Sequence, residues 1–198
     1  MEIRYSREMN HNYMIIEAPE EETGYAVQML SANAIETHLL PAKPQPLNFP
    51  VCGQHLQIPV NGSQTDPIVE KLAMGYPARD AIALPLLAMD YEKDSLDTPR
   101  IVAVVGSKCR KGYLGIVRRD ALLVREFDLV PGQVRYLSTY EKNRPCDDQV
   151  TGDFDGTCAH CAVNYVVDGG IFADFTNPVT SAAAVAEGDG YELAVRVI

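Results

Sequence analysis

Residues 60–105 read VNGSQTDP (60–67), two helical runs, MDYEKD (89–94), TPR (98–100) and the apolar run IVAVV (101–105). A polar turn, an acidic helix end and an arginine before a strand therefore follow one another closely in the sequence. Apolar helices and strands on either side of such polar stops are typical of a packed scaffold. This order predicts a fold that gathers several polar side chains at one place.

Two helices are predicted inside this stretch. Asp66 and Pro67 have the pattern of a helix N-cap followed by the first helical residue, and Gly75 is a typical helix end. A second helix is predicted over 77–91, with a kink at Pro85 because the proline ring clashes with the preceding turn. The middle of this helix is apolar nearly all round, which predicts that it is buried.

The rest of the chain is predicted to add strands and one or two further helices. A helix is expected over 157–167, and a small-residue helix is expected after Pro178. Buried helices with antiparallel strand pairs predict a layered α+β architecture. The short strands are predicted at residues 13–16, 25–30, 101–105, 113–117, 121–124, 134–140 and 191–197.

Four prolines between residues 41 and 50 mark an extended connector, because proline lacks an amide donor and resists helix and central strand. We therefore divide the chain into an N-terminal segment with its connector, residues 1–45, and a main domain, residues 46–198.

The composition excludes several functional classes. The 198 residues carry a net charge of -10, which argues against nucleic-acid binding, since that depends on Lys and Arg at phosphates. No apolar run approaches the ~20 residues of a membrane-spanning helix. Five cysteines, an odd number, fit a reducing compartment better than a disulfide framework. We expect a cytoplasmic protein without a membrane or nucleic-acid partner.

The polar stretches carry the candidate site, and each has two interpretations. Residues 61–63, Asn-Gly-Ser, either offer backbone N–H groups to an anion or form a plain turn before a capped helix. The acidic run 90–94 either contains a proton carrier with a raised pKa or is a solvated helix end. Arg100 either pairs with a phosphate or carboxylate or is a surface charge at a strand start.

Cysteines at 158 and 161 flank His160 and suggest a metal site that Cys52 and His55 would complete. The stronger interpretation is that Cys158 and Cys161 are buried thiols on one helix face, packed as small apolar groups. The corresponding prediction is that the protein has no metal site.

Several segments in residues 60–198 form a collinear set of motifs. They include NGSQTD (61–66), LLAMDYEKD (86–94), TPRI (98–101), STYE (138–141), GG (169–170), FT (175–176) and PVTSAAA (178–184). This set resembles the archaeal-type inosine monophosphate (IMP) cyclohydrolase family. No family motif is recognisable in residues 1–55, where the family begins with an arginine-containing strand pair.

The resemblance implies an enzyme that closes the second ring of the purine, converting the formylated aminoimidazole carboxamide ribonucleotide to IMP and water. It implies a four-layer αββα sandwich similar to the N-terminal-nucleophile (NTN) hydrolases, no cofactor, and a homo-oligomer. Glu92 and Tyr91 are the expected catalytic residues. The expected substrate-binding residues are Asn61, Gly62, Ser63, Thr65, Arg100, Tyr140, Glu141 and Thr176.

The atypical N-terminal segment leaves a second hypothesis open. On that hypothesis the chain is a non-catalytic nucleotide-binding or assembly homologue on the same scaffold, because it lacks the arginines that would bind the phosphate. A third hypothesis, a zinc-stabilised interaction module, depends on the cysteine cluster described above.

Overall fold

The structure is a computed structural model of the 198-residue chain. It describes residues 12–17, 24–30, 36–40, 56–60, 63–106, 111–140, 142–148, 150–151, 154–174, 180–187 and 190–198. The connector at 41–50 lies outside these ranges.

Six of the described strands form one antiparallel sheet with the order β11-β10-β2-β1-β8-β9. Strands from before residue 45 lie in its middle, where Ile15 pairs with Ala26 of one neighbour and with Arg135 of the other. Whether residues 1–45 form a separate segment stays a prediction. The strands are β1 (Asn12–Glu17), β2 (Gly24–Leu30), β8 (Val134–Ser138), β9 (Val150–Thr151), β10 (Thr180–Glu187) and β11 (Gly190–Val197).

Five described strands form a second antiparallel sheet with the order β3-β4-β5-β6-β7. Its centre contains the apolar run IVAVV (101–105), where Ile101 pairs with Ile116. Its strands are β3 (Glu36–Leu40), β4 (Leu56–Val60), β5 (Arg100–Gly106), β6 (Lys111–Arg118) and β7 (Ala121–Asp128).

Three α-helices are described: α1 (Thr65–Ala73), α2 (Ala78–Met89) and α3 (Ala159–Asp168). A 3₁₀ helix, Gly170–Asp174, follows α3. None of the described helices is long and apolar enough to cross a bilayer.

The five-stranded sheet is covered on both faces. Val102 and Val104 of β5 pack against α1 and α2, whereas Ile101 and Ala103 point to the opposite face and lie in a separate cluster with Leu137 of β8. Alternate side chains of a strand point to opposite faces, so a continuous apolar run is what a strand buried on both sides needs. The second cluster joins the two sheets.

The six-stranded sheet packs against α3. Val163 and Val166 of the helix lie in one cluster with Tyr136 of β8 and Ala183 of β10. The small side chains of β10 leave room for the helix, and β10 is hydrogen-bonded to β2 and β11. The small-residue helix predicted after Pro178 was therefore wrong, because strand pairing on both sides overrides the helix propensity of alanine.

Helix boundaries differ slightly from those predicted. The N-cap of α1 is Gln64 rather than Asp66, and its side chain makes no capping hydrogen bond. Gly75 follows the helix with φ 86°, as expected of a glycine end, and its N–H donates to the Leu72 carbonyl. Cys158 is the N-cap of α3, so it lies outside the helix predicted to contain it.

The second predicted helix, α2, is buried along one face only. Ala81, Ile82 and Leu86 are fully buried against the sheet, whereas the side chains of Leu84 and Leu87 are exposed. The prediction that α2 is buried all round was therefore wrong, because a helix on the outside of a sheet buries only one stripe.

Candidate functional site

The loop between α2 and β5, residues 90–99, is organised around the carboxylate of Asp94. One carboxylate oxygen accepts hydrogen bonds from the backbone N–H groups of Leu96 (3.1 Å) and Thr98 (2.9 Å), and the other accepts from the Thr98 hydroxyl (2.7 Å). The Glu92 N–H donates to the Thr98 carbonyl at 2.8 Å, which closes the loop on itself. The acidic run therefore folds into an ordered loop.

Arg100 connects this loop to the start of α1. Its Nε donates to the Asp90 carbonyl at 2.9 Å, and its Nη1 lies 3.1 Å from both the Glu92 carboxylate and the Gln64 side-chain oxygen. Only 14% of the Arg100 side chain is exposed. Because these donors are directed at the protein itself, the geometry favours pairing of Arg100 with a carboxylate, that of Glu92, over a surface charge.

Gln64 is the fully buried partner of this arginine. While its oxygen accepts from Arg100, its amide nitrogen donates to the Ile101 carbonyl at 3.4 Å. A buried side-chain amide must satisfy both ends, and here both ends are satisfied by β5. This use of the side chain explains why Gln64 makes no capping hydrogen bond to α1.

Asp90 has a backbone conformation that only glycine adopts readily, with φ 60° and ψ 179°. Such a conformation costs about 1–3 kcal/mol, and it tends to occur at functional sites. Hydrogen bonds stabilise it on both sides, since the Asp90 carbonyl accepts from Arg100 and its carboxylate accepts from the Tyr91 N–H at 2.9 Å. This backbone conformation turns the chain sharply from α2 into the loop that carries Glu92.

Tyr140 enters the site from the segment after β8. Its hydroxyl lies 2.7 Å from the Thr98 hydroxyl. Because Thr98 gives its one proton to Asp94, it accepts the proton of Tyr140, and the three groups form a donor chain that ends on a carboxylate. Burial raises the pKa of Tyr140, and the nearby charges of Asp94 and Glu92 raise it further against the Thr98 hydrogen bond.

Asn143 fixes the segment that carries Tyr140. Its amide nitrogen donates to the carbonyls of Thr139 (3.3 Å) and Tyr140 (3.2 Å). Its side-chain oxygen accepts from Arg118 Nη1 at 2.8 Å, which ties the segment to the end of β6. The position of the Tyr140 hydroxyl therefore depends on two polar side chains outside the loop.

Two carboxylates of the acidic run, Asp90 and Asp94, have lowered pKa values, not the raised pKa of the proton-carrier interpretation. The pKa of Asp90 is lowered by the Tyr91 N–H and by Lys93. For Asp94, burial raises the pKa, but the hydrogen bonds from Thr98 and Leu96 outweigh burial and lower it. Donated hydrogen bonds favour the ionised form, and that effect exceeds the effect of burial at these two positions.

The structure describes only some of the remaining predicted site residues. Ser63 is exposed next to the start of α1, and Thr65 is the buried first residue of α1. The ring of Tyr91 lies 6.0 Å from the Lys93 ammonium group. Asn61, Gly62, Glu141 and Thr176 lie outside the described residues.

Four polar residues that build the site were not predicted as site residues: Gln64, Asp94, Thr98 and Asn143. Gln64, Asp94 and Thr98 lie inside the motifs NGSQTD, LLAMDYEKD and TPRI, where neighbouring residues were predicted as site residues instead. Gln64 carries a usable signal, since a polar residue directly before an apolar helix face has to find a partner when it is buried. Nothing in the sequence indicates Asn143, because its contacts come from loop geometry.

A cavity of about 520 Å³ lies next to the Arg118 end of the site, between β7 and the segment at 144–146. Arg118, Arg125 and Arg144 line it. Two of these arginines form ion pairs, Arg118 with Asp120 and Arg125 with Asp147. Charges that are already paired offer less attraction to a phosphate, so Arg118 and Arg125 do not make this cavity an anion site.

The cysteine pair matches the interpretation that we preferred only in part. Cys161 packs against the apolar cluster around α3, but Cys158 and Cys161 are half-buried free thiols, not fully buried ones. Cys52 and His55, the other proposed zinc ligands, lie outside the described residues. Within the described part of the chain, no three His, Cys, Asp or Glu side chains are grouped to bind a metal ion.

Comparison with known proteins points to one family. The sequence profile described as "IMP cyclohydrolase-like protein" matches residues 9–190. This match begins well before residue 60, so it includes the N-terminal strands in which we recognised no family motif.

Curated relatives named IMP cyclohydrolase come from several archaea. The protein of Methanosphaera stadtmanae is 45% identical over 124 residues, which are 63% of this chain and 58% of the relative. The protein of Natronomonas pharaonis is 43% identical over 133 residues, 67% of this chain and 62% of the relative. The protein of Methanocella arvoryzae is 47% identical over 135 residues, 68% of this chain and 62% of the relative. The match thus spans less than two thirds of each of these relatives.

Proposed function

The chain belongs to the IMP cyclohydrolase-like family, and from that premise we propose that it closes the purine ring of the formylated aminoimidazole carboxamide ribonucleotide to give IMP and water. The observation that carries the proposal is the convergence of Glu92, Arg100 and Tyr140 at the start of β5, within the matched region. The substrate is a small nucleotide, and the proposal involves no metal, organic cofactor or nucleic acid.

The reaction joins two arms of one molecule. The carboxamide nitrogen attacks the formyl carbon, a C–N bond forms, and the formyl oxygen takes up negative charge. The carboxamide nitrogen then loses one proton and the formamide nitrogen loses its own, the former formyl oxygen takes up both and leaves as water, and a C=N bond between the formyl carbon and the formamide nitrogen completes the ring. Because both reacting groups are on one substrate, orientation of the two arms supplies much of the acceleration.

Glu92 is the proposed proton acceptor for the attacking nitrogen. Its carboxylate is 45% exposed, so a substrate can reach it, while Arg100 holds one of its oxygens at 3.1 Å. A general base needs both access to the proton and a fixed orientation. Arg100 therefore acts as a positioning residue for Glu92, and a direct role at the substrate phosphate stays a separate prediction.

Tyr140 is the proposed donor to the developing oxyanion. A phenol with a raised pKa keeps its proton at neutral pH, and its donor chain to Asp94 fixes where the hydroxyl lies. On substrate binding, the Tyr140 proton turns from Thr98 to the formyl oxygen. Tyr91 is the alternative donor, on the neighbouring loop.

The remaining contacts with base and ribose are assigned to the polar turn and to the segments after β8 and after the 3₁₀ helix. They are proposed for Asn61, Gly62, Ser63, Thr65, Glu141 and Thr176. Ser63 has the best support among these, because it is exposed and is adjacent to Gln64, which contacts Arg100.

The αββα sandwich of the NTN hydrolases is our proposal for the finer fold. The three apolar clusters support it, since they join α1 and α2 to one sheet, that sheet to the other, and the second sheet to α3. A cytoplasmic homo-oligomer belongs to the same proposal. The exposed Leu84 and Leu87 on α2 support the oligomer, because a second copy that covers them would bury apolar surface.

The decisive experiment mixes the purified chain with the formylated nucleotide and follows IMP formation by its absorbance. Turnover that scales with enzyme concentration is expected. Tight IMP binding without turnover would instead support the non-catalytic homologue. The absence of both binding and turnover would reject both hypotheses. Light scattering of the same sample measures the number of subunits.

A further inference from the structure

Cys158 and Cys161 form a close pair of thiols at the start of α3. Cys158 is the N-cap residue, and its sulfur accepts a hydrogen bond from the Cys161 N–H at 3.2 Å. The two sulfur atoms are 2.6 Å apart. Neither thiol has a role in the proposed cyclisation, which takes place beside Glu92 and Tyr140.

The distance between the two sulfurs is short enough for them to react with each other. A disulfide bond is about 2.05 Å long, so a movement of roughly half an ångström would join the pair. The N-cap position makes this approach feasible, because its extended backbone, φ -138° and ψ 161°, turns the Cys158 side chain back over the first turn. The neighbouring Gly156 helps, since a Cβ there would come within 2.5 Å of the Cys161 Cβ.

The protonation of the pair also favours reaction. The hydrogen bond from the Cys158 thiol lowers the pKa of Cys161, with further help from backbone N–H groups and against burial. The same hydrogen bond raises the pKa of Cys158, which keeps its proton. A thiolate beside a thiol is the arrangement that thiol–disulfide exchange requires.

Reagents can reach the pair from solvent. Both cysteines are only half-buried. Beside them, Glu192 accepts a hydrogen bond from the Ala159 N–H at 3.0 Å. In the described part of the chain no third side chain completes a metal site with the pair. Disulfide chemistry therefore accounts for this geometry better than metal binding does.

We propose that Cys158 and Cys161 are a redox-active dithiol that is oxidised to an intramolecular disulfide by small-molecule disulfides of the glutathione type. The Cys161 thiolate attacks one sulfur of the oxidant, whose S–S bond breaks and releases one thiolate. Cys158 loses its proton and attacks the resulting mixed disulfide at the Cys161 sulfur, which releases the second thiol. The protein thereby loses two electrons and two protons, and the oxidant is reduced to two thiols.

The test uses the full chain with Cys146→Ser, because a tryptic fragment covering residues 143–196 contains three cysteines and this change leaves only the pair. Reduced protein is equilibrated in a series of glutathione and glutathione disulfide mixtures, acid-quenched, alkylated and digested for mass spectrometry. The expected result is loss of both alkylatable thiols together, with the fragment lighter by two hydrogen atoms and reversal by dithiothreitol.

Two further variants, Cys158→Ser and Cys161→Ser in the same background, keep the proposal falsifiable. Each should form a mixed disulfide with glutathione and no internal link, with circular dichroism unchanged. The proposal is overturned if the pair stays alkylatable in glutathione disulfide alone, or if it gives only mixed disulfides. Oxidation no easier than that of Cys146 in the unsubstituted chain also overturns it. None of these readouts depends on turnover.

Discussion

Arg100 and Glu92 form an ion pair across the loop between α2 and β5, with Nη1 and Oε1 3.1 Å apart. The cation is largely buried and the carboxylate is open to solvent. Arg100 donates to three acceptors, namely Asp90 and Glu92 in the loop and Gln64 before α1. These bonds make the loop a rigid support for one accessible carboxylate.

Replacing Glu92 by Gln should abolish turnover while leaving the fold intact. The amide keeps the size of the side chain and an oxygen for Arg100, but it cannot accept the proton, so kcat should fall by about 10²–10⁴-fold. IMP formation and the thermal midpoint measure the two effects. Glu70→Gln, on the exposed face of α1, is the matched control. Normal turnover by Glu92→Gln would show that the assigned role is wrong.

Tyr140→Phe should lower kcat more than Tyr91→Phe. The first change removes the hydroxyl at the end of the Asp94 chain, and loss of one oxyanion donor costs about 10²-fold in kcat. Steady-state kinetics of both variants measure the difference. If Tyr91→Phe is the more damaging change, the donor lies on the loop instead, and the role proposed for Tyr140 has to be given up.

Gln64→Ala should destabilise the protein although Gln64 touches no proposed reacting group. The change removes a buried acceptor from Arg100 and a donor from the Ile101 carbonyl, and such losses cost about 1–3 kcal/mol each. Urea unfolding measures the change in the free energy of unfolding. Ser63→Ala, at the exposed neighbouring position, is the control and should alter stability little. Equal effects of the two changes would contradict the anchoring role.

Asp94 should contribute to acid sensitivity. Burial raises its pKa, but the Thr98 and Leu96 hydrogen bonds lower it more. A carboxyl group with a lowered folded pKa stabilises the fold above its unfolded pKa of about 3.9, and that stability is lost as pH falls through the folded value. Asp94→Asn should therefore flatten the fall in unfolding free energy below about pH 4.

Urea titrations at several pH values measure that slope, with Asp148→Asn on an exposed loop as the control. An acid limb of Asp94→Asn as steep as that of the unsubstituted chain would show that the hydrogen bonds around this carboxylate do not favour its ionised form.

Gly115→Ala should destabilise the packing of α2 on the sheet. The added Cβ would lie 2.6 Å from Ile82 Cγ2 and 2.9 Å from Val102 Cγ1, and such overpacking costs about 1–3 kcal/mol. Ile82→Ala should also destabilise, through a cavity. The double variant should lose less stability than the sum, because each change relieves the other. Strict additivity would mean that α2 does not press on Gly115.

Local patterns predicted much of the architecture. The strands at 101–105, 113–117 and 121–124 lie within β5, β6 and β7. Helix α1 begins two residues before its predicted first residue, and α2 begins one residue after its predicted start. These elements carry their own signals, namely apolar runs, proline near the helix start and glycine at the end. The alanine run at 182–184 misled because its local preference for helix loses to pairing with β11 and with β2, which is distant in sequence.

The sequence by itself determined the α+β class and the order of the polar motifs, because residue types and spacing are local properties. The choice of Glu92, Arg100 and Tyr140 came through the family resemblance and stays a prediction. Only the tertiary structure decided that Gln64, Asp94, Thr98 and Asn143 complete the site, that Arg100 faces the protein, and that the two thiols meet. A buried polar group takes its role from partners that satisfy its hydrogen bonds, and those partners come from elements far apart in the chain.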